Sequence, residues 1–130
     1  MGTLSQTLIL CVFSVLSATT SVSATTHIVG DDHGWTLGYN YQKWSMDHRF
    51  HVGDELVFKY NASHHSVVRV NETAFTNCIK EPNLGIERSG HDTISLEEEG
   101  QRWYICGEDI HCELGQKLQI KVLLASRRKL

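Results

Sequence analysis

The sequence is sparing in most of what defines other protein classes. Pro82 is its only proline, so these residues hold no proline-rich stalk. The longest apolar run, Leu8–Leu16, is too short to span a bilayer comfortably. The segment Leu123–Leu130 is basic and lacks the hydrophobic tail of a lipid-anchor signal, so a freely soluble protein without a transmembrane anchor is expected. The formal charge is only −3, the basic residues are scattered, and none interleave with aromatics, which gives no support for nucleic-acid binding. Repeats are absent, and nothing is long and periodic enough for a major helix.

What is present begins with an export pattern. The run Leu8–Leu16 is followed by small residues ending Val22-Ser23-Ala24, which fits a secretory signal cleaved after Ala24, although no Lys or Arg precedes it. The expected organisation is a signal over 1–24, one domain over 25–124 and a short basic tail over 125–130. Of four cysteines, Cys11 leaves with the signal, and Cys78, Cys106 and Cys112 remain. In an oxidising compartment two would pair, which leaves one thiol with another task. The sequons Asn61-Ala62-Ser63 and Asn71-Glu72-Thr73 agree with export and make Asn61 and Asn71 candidate glycosylation sites, Asn71 being the safer of the two.

Between these ends the chain reads as short strands separated by turn residues. His27–Val29 is a strand, and Tyr41–Met46 is one helical turn with Trp44, like Trp35, packed inward. Gly53-Asp54 signals a hairpin between Phe50–Val52 and Glu55–Tyr60, with Leu56, Phe58 and Tyr60 facing the core. Val67–Val70 is a strand, Thr73–Cys78 a short helix carrying Phe75 inward, and 79–90 a loop. Asp92–Leu96 alternates, Gln101–Cys106 is apolar enough for a central strand, and Lys117–Leu124 closes the sheet. Seven or eight strands with one or two helical turns predict an all-β, antiparallel Greek-key sandwich.

One stretch concentrates the chemistry. Residues 103–116 read Trp-Tyr-Ile-Cys-Gly-Glu-Asp-Ile-His-Cys-Glu-Leu-Gly-Gln, with Cys106, His111 and Gln116 evenly spaced in a loop between two strands. Gln116 has the parity of the apolar face Leu118, Ile120 and Val122. An inward amide costs roughly 1–3 kcal/mol unless something satisfies it, and a metal ion is one such partner. A trigonal His, His, Cys site with a weak axial Met or Gln is the donor set of blue copper. The loop supplies three of the four, and the missing histidine must come from upstream.

Cys106-x4-His111-Cys112-x2-Gly115-Gln116-Lys117-Leu118 resembles the copper loop of the phytocyanins, plant blue copper proteins of cupredoxin-like fold. It is similar to the stellacyanin type, since Gln stands where most relatives have Met. His65-Ser66-Val67, Phe75-x2-Cys78 and Gly90-x-Asp92-x-Ile94-x-Leu96 match in order and spacing, as do Val29-Gly30, Gly34-Trp35, Trp44 and Val52-Gly53-Asp54, so that the resemblance covers about 27–123. It implies one type 1 copper held by His65, Cys106, His111 and Gln116, and a disulfide between Cys78 and Cys112. On the second histidine the two approaches differ. Alternation along Val68 and Val70 gives His64 the inward parity, whereas the resemblance selects His65 if a turn or bulge between 63 and 66 resets that parity. His27, His33, His48, His51 and His91 have no partner at ligand spacing and are assigned to no metal.

Two other chemistries fit the loop less well. A closed zinc site of Cys78, Cys106, Cys112 and a histidine would leave no disulfide and no role for Gln116. A Cys106 nucleophile with His111 as base lacks an oxyanion or orienting motif. A copper with four protein donors has no vacant position for substrate, so a one-electron carrier rather than an enzyme is expected. It would be secreted to the apoplast or cell wall and monomeric, with a small-molecule or protein redox partner. The alternative is a cell-surface or wall-associated signalling protein in which copper is mainly structural.

Overall fold

Period-two alternation between turn formers builds eight strands among the described residues of the computed structural model, which are Val12, Ser14 and 23–125. Most of the expected signal, and all of the expected tail except Ala125, lie outside them. The strands are β1 (Thr26–Ile28), β2 (Phe50–His51), β3 (Glu55–Lys59), β4 (Val67–Val70), β5 (Gly85–Glu87), β6 (His91–Ser95), β7 (Gly100–Ile105) and β8 (Lys117–Leu123). Two short helices interrupt them, α1 (Tyr41–Met46) and α2 (Glu72–Asn77). Each is capped by an asparagine: Asn40 accepts from the Lys43 amide and Asn71 from the Ala74 amide.

The strands form two sheets, ordered β1-β3-β6 and β2-β8-β7-β4-β5. Leu56 and Phe58 of the first face Phe50, Val67, Tyr104, Leu118, Ile120 and Val122 of the second, with Trp35, Tyr41 and Trp44 packed into the same core. Each fully buried apolar side chain contributes on the order of 1.5–3 kcal/mol. A second cluster, Val68, Val70, Ala74, Ile105 and Cys112, lies apart from this core, where α2 packs on β7. β4 and β7 are therefore apolar on both faces, as the reading of Gln101–Cys106 as a central strand requires.

Three expectations need correction. The Gly53-Asp54 turn is a crossover between sheets: β2 pairs with β8, while β3 pairs with β1 and β6. Gly53, at φ 98°, turns the chain and donates its amide to the Leu96 carbonyl. Secondly, the sandwich is not purely antiparallel, because β1–β3 and β2–β8 run parallel. β8 accordingly lies inside its sheet, between β2 and β7. Thirdly, the 79–90 loop contains β5, an edge strand on β4 whose residues are all exposed, so no alternation marks it.

The crossover is held by a buried carboxylate. Asp54 accepts from the Thr25 and His51 amides at 3.0 and 2.9 Å and from His27 Nε2 at 2.9 Å. Burial alone would raise its pKa, but these donors, His27 foremost, hold it below the usual carboxylate value. His48, beside His27, is held below its ordinary 6.5 by burial and by that neighbouring ring. Both depressed pKa values give stability that acid removes. Urea midpoints should fall in two stages, first below about pH 6.5 as the unfolded chain takes up the His48 proton, then below about pH 3.8 as Asp54 protonates. His48→Gln should reduce the first stage and leave the second.

Candidate metal centre

The loop between β7 and β8 is shaped by its own backbone. The Cys106 amide donates to the Gln116 carbonyl at 3.0 Å, and the Gln116 amide to the His111 carbonyl at 2.9 Å. Within it the His111 and Leu114 amides bond back to Glu108 and Ile110 in successive turns. Cys106 thus leaves the central strand pointing into the core, and Gln116 enters β8 on the same side, both fully buried.

His65 arrives from the turn before β4. The His64 and His65 amides both donate to the Asn61 carbonyl at 3.0 Å. The structure brings His65, not His64, to the loop: His65 Nδ1 lies 3.9 Å and His111 Nδ1 3.5 Å from Cys106 Sγ. No bulge is needed, because Val68 and Val70 belong to the α2-side cluster while Val67 faces the other sheet, and His65 has the parity of Val67.

Neighbouring groups lock this arrangement. Ser66, fully buried, accepts the Gly107 amide on its hydroxyl at 3.0 Å and the Trp35 indole N–H on its carbonyl at 2.9 Å. A Cβ on Gly107 would come within 2.7 Å of Val68 Cγ2 and 2.8 Å of Ser66 Oγ, so glycine is required by close approach. Cys78 and Cys112 are disulfide-bonded, tying the end of α2 to the residue after His111.

The donor set fits a soft or borderline transition ion. Bonds of about 2.0–2.3 Å at trigonal or tetrahedral angles separate adjacent donors by roughly 3.5–3.8 Å, close to the spacings here. Among the described residues, His65, Cys106 and His111 are the set of three whose ligand atoms lie within 4.8 Å of one another. Burial, and secondarily the His111 ring, keep His65 less basic than usual, so its lone pair is available near neutral pH. Burial pushes the Cys106 thiol up, although the Ser66 and Glu108 amides oppose this, so a cation is what would make it a thiolate. The Gln116 amide is close enough to His65 to raise its basicity, a smaller opposing effect, yet neither Oε1 nor Nε2 makes a hydrogen bond of acceptable geometry. An orphaned, buried amide beside three convergent donors is what a metal would satisfy.

The comparisons with known proteins agree. The plastocyanin-like domain model matches residues 35–116. The chain belongs to the phytocyanin family of blue copper proteins. Those proteins are electron carriers, and the cofactor is one copper ion. Blue copper protein 1b of Medicago truncatula is 45% identical over 117 residues, 89% of this chain and 72% of the relative. A blue copper protein of Petunia hybrida is 52% identical over 99 residues, 75% of this chain but only 37% of that longer relative. The structure of cucumber stellacyanin with Cu2+ superposes with a TM-score of 0.74 at 33% identity, covering 80% of this chain and 99% of that one.

Asn61 and Asn71 are both exposed, with Oδ1 occupied by the Ser63 and Ala74 amides. The sequence reading missed Ser66 and Gly107, whose roles depend on contacts some forty residues apart. It also missed that His27 and His51 face Asp54 and that His48 lies against the other side of the His27 ring. In this phytocyanin the disulfide spans 34 residues, so Cys78→Ser should lower stability by about 4 kcal/mol on the chain-entropy model. Gly107→Ala should cost roughly 1–3 kcal/mol by overpacking. Denaturant titration of the two variants checks both.

Proposed function

We propose that His65, Cys106 and His111 hold the copper with Gln116 as weak axial donor, and that the protein is a one-electron carrier working outside the cell. The observation that carries this reading is the fully buried Gln116 side chain, unpartnered at both polar atoms and next to the His65, Cys106 and His111 cluster. When bound, copper supplies a one-electron couple between Cu(I) and Cu(II). The chain does the rest. Cys106 gives up its proton and offers sulfur from inside the core. Ser66, Gly107 and the disulfide hold the histidine and cysteine donors in place. His65 and His111 are the half-exposed members of the set, at a shallow surface depression shared with Leu37, Glu108 and Asp109, and there a redox partner reaches the centre.

Several features support the extracellular assignment. A disulfide persists in an oxidising compartment. Both sequon asparagines are exposed with Nδ2 unused, so each has room for a glycan. The apolar stretch before Ala24 gives the route of export, and no helix among the described residues is long and apolar enough to cross a membrane.

Two measurements test the ligand set. The copper-loaded protein should show an intense visible charge-transfer band that Cys106→Ser abolishes while the fold survives; a colourless parent or a blue serine variant rejects the thiolate assignment. An amide oxygen is a harder donor than a thioether and favours Cu(II), so Gln116→Met should keep the colour and raise the reduction potential. Voltammetry of the two proteins at one pH reads this, and an unchanged or lower potential removes Gln116 from the ligand set.

A further inference from the structure

Away from the copper centre, and sharing no residue with it, His27 and His48 present a second pair of convergent nitrogens. The His27 ring lies in β1, buried, with Nε2 on the Asp54 carboxylate at 2.9 Å. Asp54 also takes the Thr25 and His51 amides, so it acts as acceptor and the His27 proton sits on Nε2. The lone pair of the neutral ring is then at Nδ1. This atom faces Nδ1 of His48 at 3.2 Å. The His48 ring packs at a tilt against Trp44, with centroids 4.2 Å apart, and lies nearly parallel to Phe50 at 5.9 Å. Both rings border a surface recess whose wall includes Asp31, Asp32 and His33.

A histidine whose far nitrogen donates to a carboxylate is the arrangement that orients and strengthens metal-binding imidazoles. Nitrogens bound to one ion at about 2.0–2.1 Å, at angles from square to tetrahedral, lie roughly 2.9–3.4 Å apart, and the observed spacing falls within that range. We propose that His27 and His48 form a second, colourless site for an imidazole-seeking divalent cation of the zinc type, completed by solvent or by an acidic group of the recess wall. Asp31, on that wall, acts electrostatically on His48. The site lacks a thiolate, so a metal there adds no intense visible band.

Zinc titration of the copper-loaded protein by isothermal calorimetry, with the visible spectrum recorded in parallel, tests the proposal. One zinc per chain should bind with the copper band unchanged. His48→Gln, checked for folding by its retained copper band, should weaken that binding at least tenfold, and His91→Ala, exposed at the start of β6, should not. Zinc uptake that is absent, or equal in His48→Gln and the parent, would mean that the two nitrogens merely share a proton. Loss of the visible band in step with zinc would place the ion in the copper centre instead. Either result overturns the proposal.

Discussion

The centre depends on the β7–β8 ladder and the hydrogen bond that ends it, from the Cys106 amide to the Gln116 carbonyl. Six residues of β7 pair with six of β8 in unbroken register, from Gly100 opposite Val122 to Ile105 opposite Lys117. That register brings the two ends of the loop together and sets which side Cys106 and Gln116 face. Because strand parity is strict, a slip of one residue would turn the thiol toward α2 and the amide toward solvent. The position of β7 in the middle of its sheet, with apolar contacts on both faces, is what resists such a slip.

The remaining donor is placed by packing on the other side of the same strand. β4 pairs with β7, and its partner register sets Val68 opposite Ile105. Ser66 then sits where its hydroxyl meets the Gly107 amide, so the residues following His65 and Cys106 are bonded to each other. Position follows from this bond and from the Trp35 indole beneath it. On the outer side the disulfide and α2 bury Cys112 within an otherwise largely exposed loop, and Lys117 donates to the Phe75 carbonyl. Three strands of one sheet and one covalent link thus converge on a loop that has no regular structure of its own.

Much of this was legible in the chain. Seven of the eight strands follow from short alternating or apolar runs, both helices from the inward Trp44 and Phe75, and the loop from the spacing of Cys106, His111 and Gln116. Where the reading failed, the missing quantity was non-local. The alternation of Val68 and Val70 is real, but it marks the face covered by α2, and a sequence cannot say which of two apolar faces looks at the larger core. The Gly53-Asp54 turn has the residues of a hairpin, yet a turn does not specify whether its flanking strands pair. β2 is only two residues long, so pairing with β8 rather than β3 is decided by what lies beside it.

By itself, then, the sequence determined the local conformations, the alternating faces, the supply of donor types and the parity that buries Gln116, because each depends on residues a few positions apart. Only the tertiary structure decided which face of β4 looks at the larger core, which is why His65, the histidine the resemblance selects, meets Cys106, and that two of the strand pairings run parallel. It also decided that His27 meets both the Asp54 carboxylate and the His48 ring. These outcomes join residues 21 to 41 positions apart, or strands that other strands separate in the chain. Their partners are selected by the shape of the packed core, and periodicity along the chain carries no information about it.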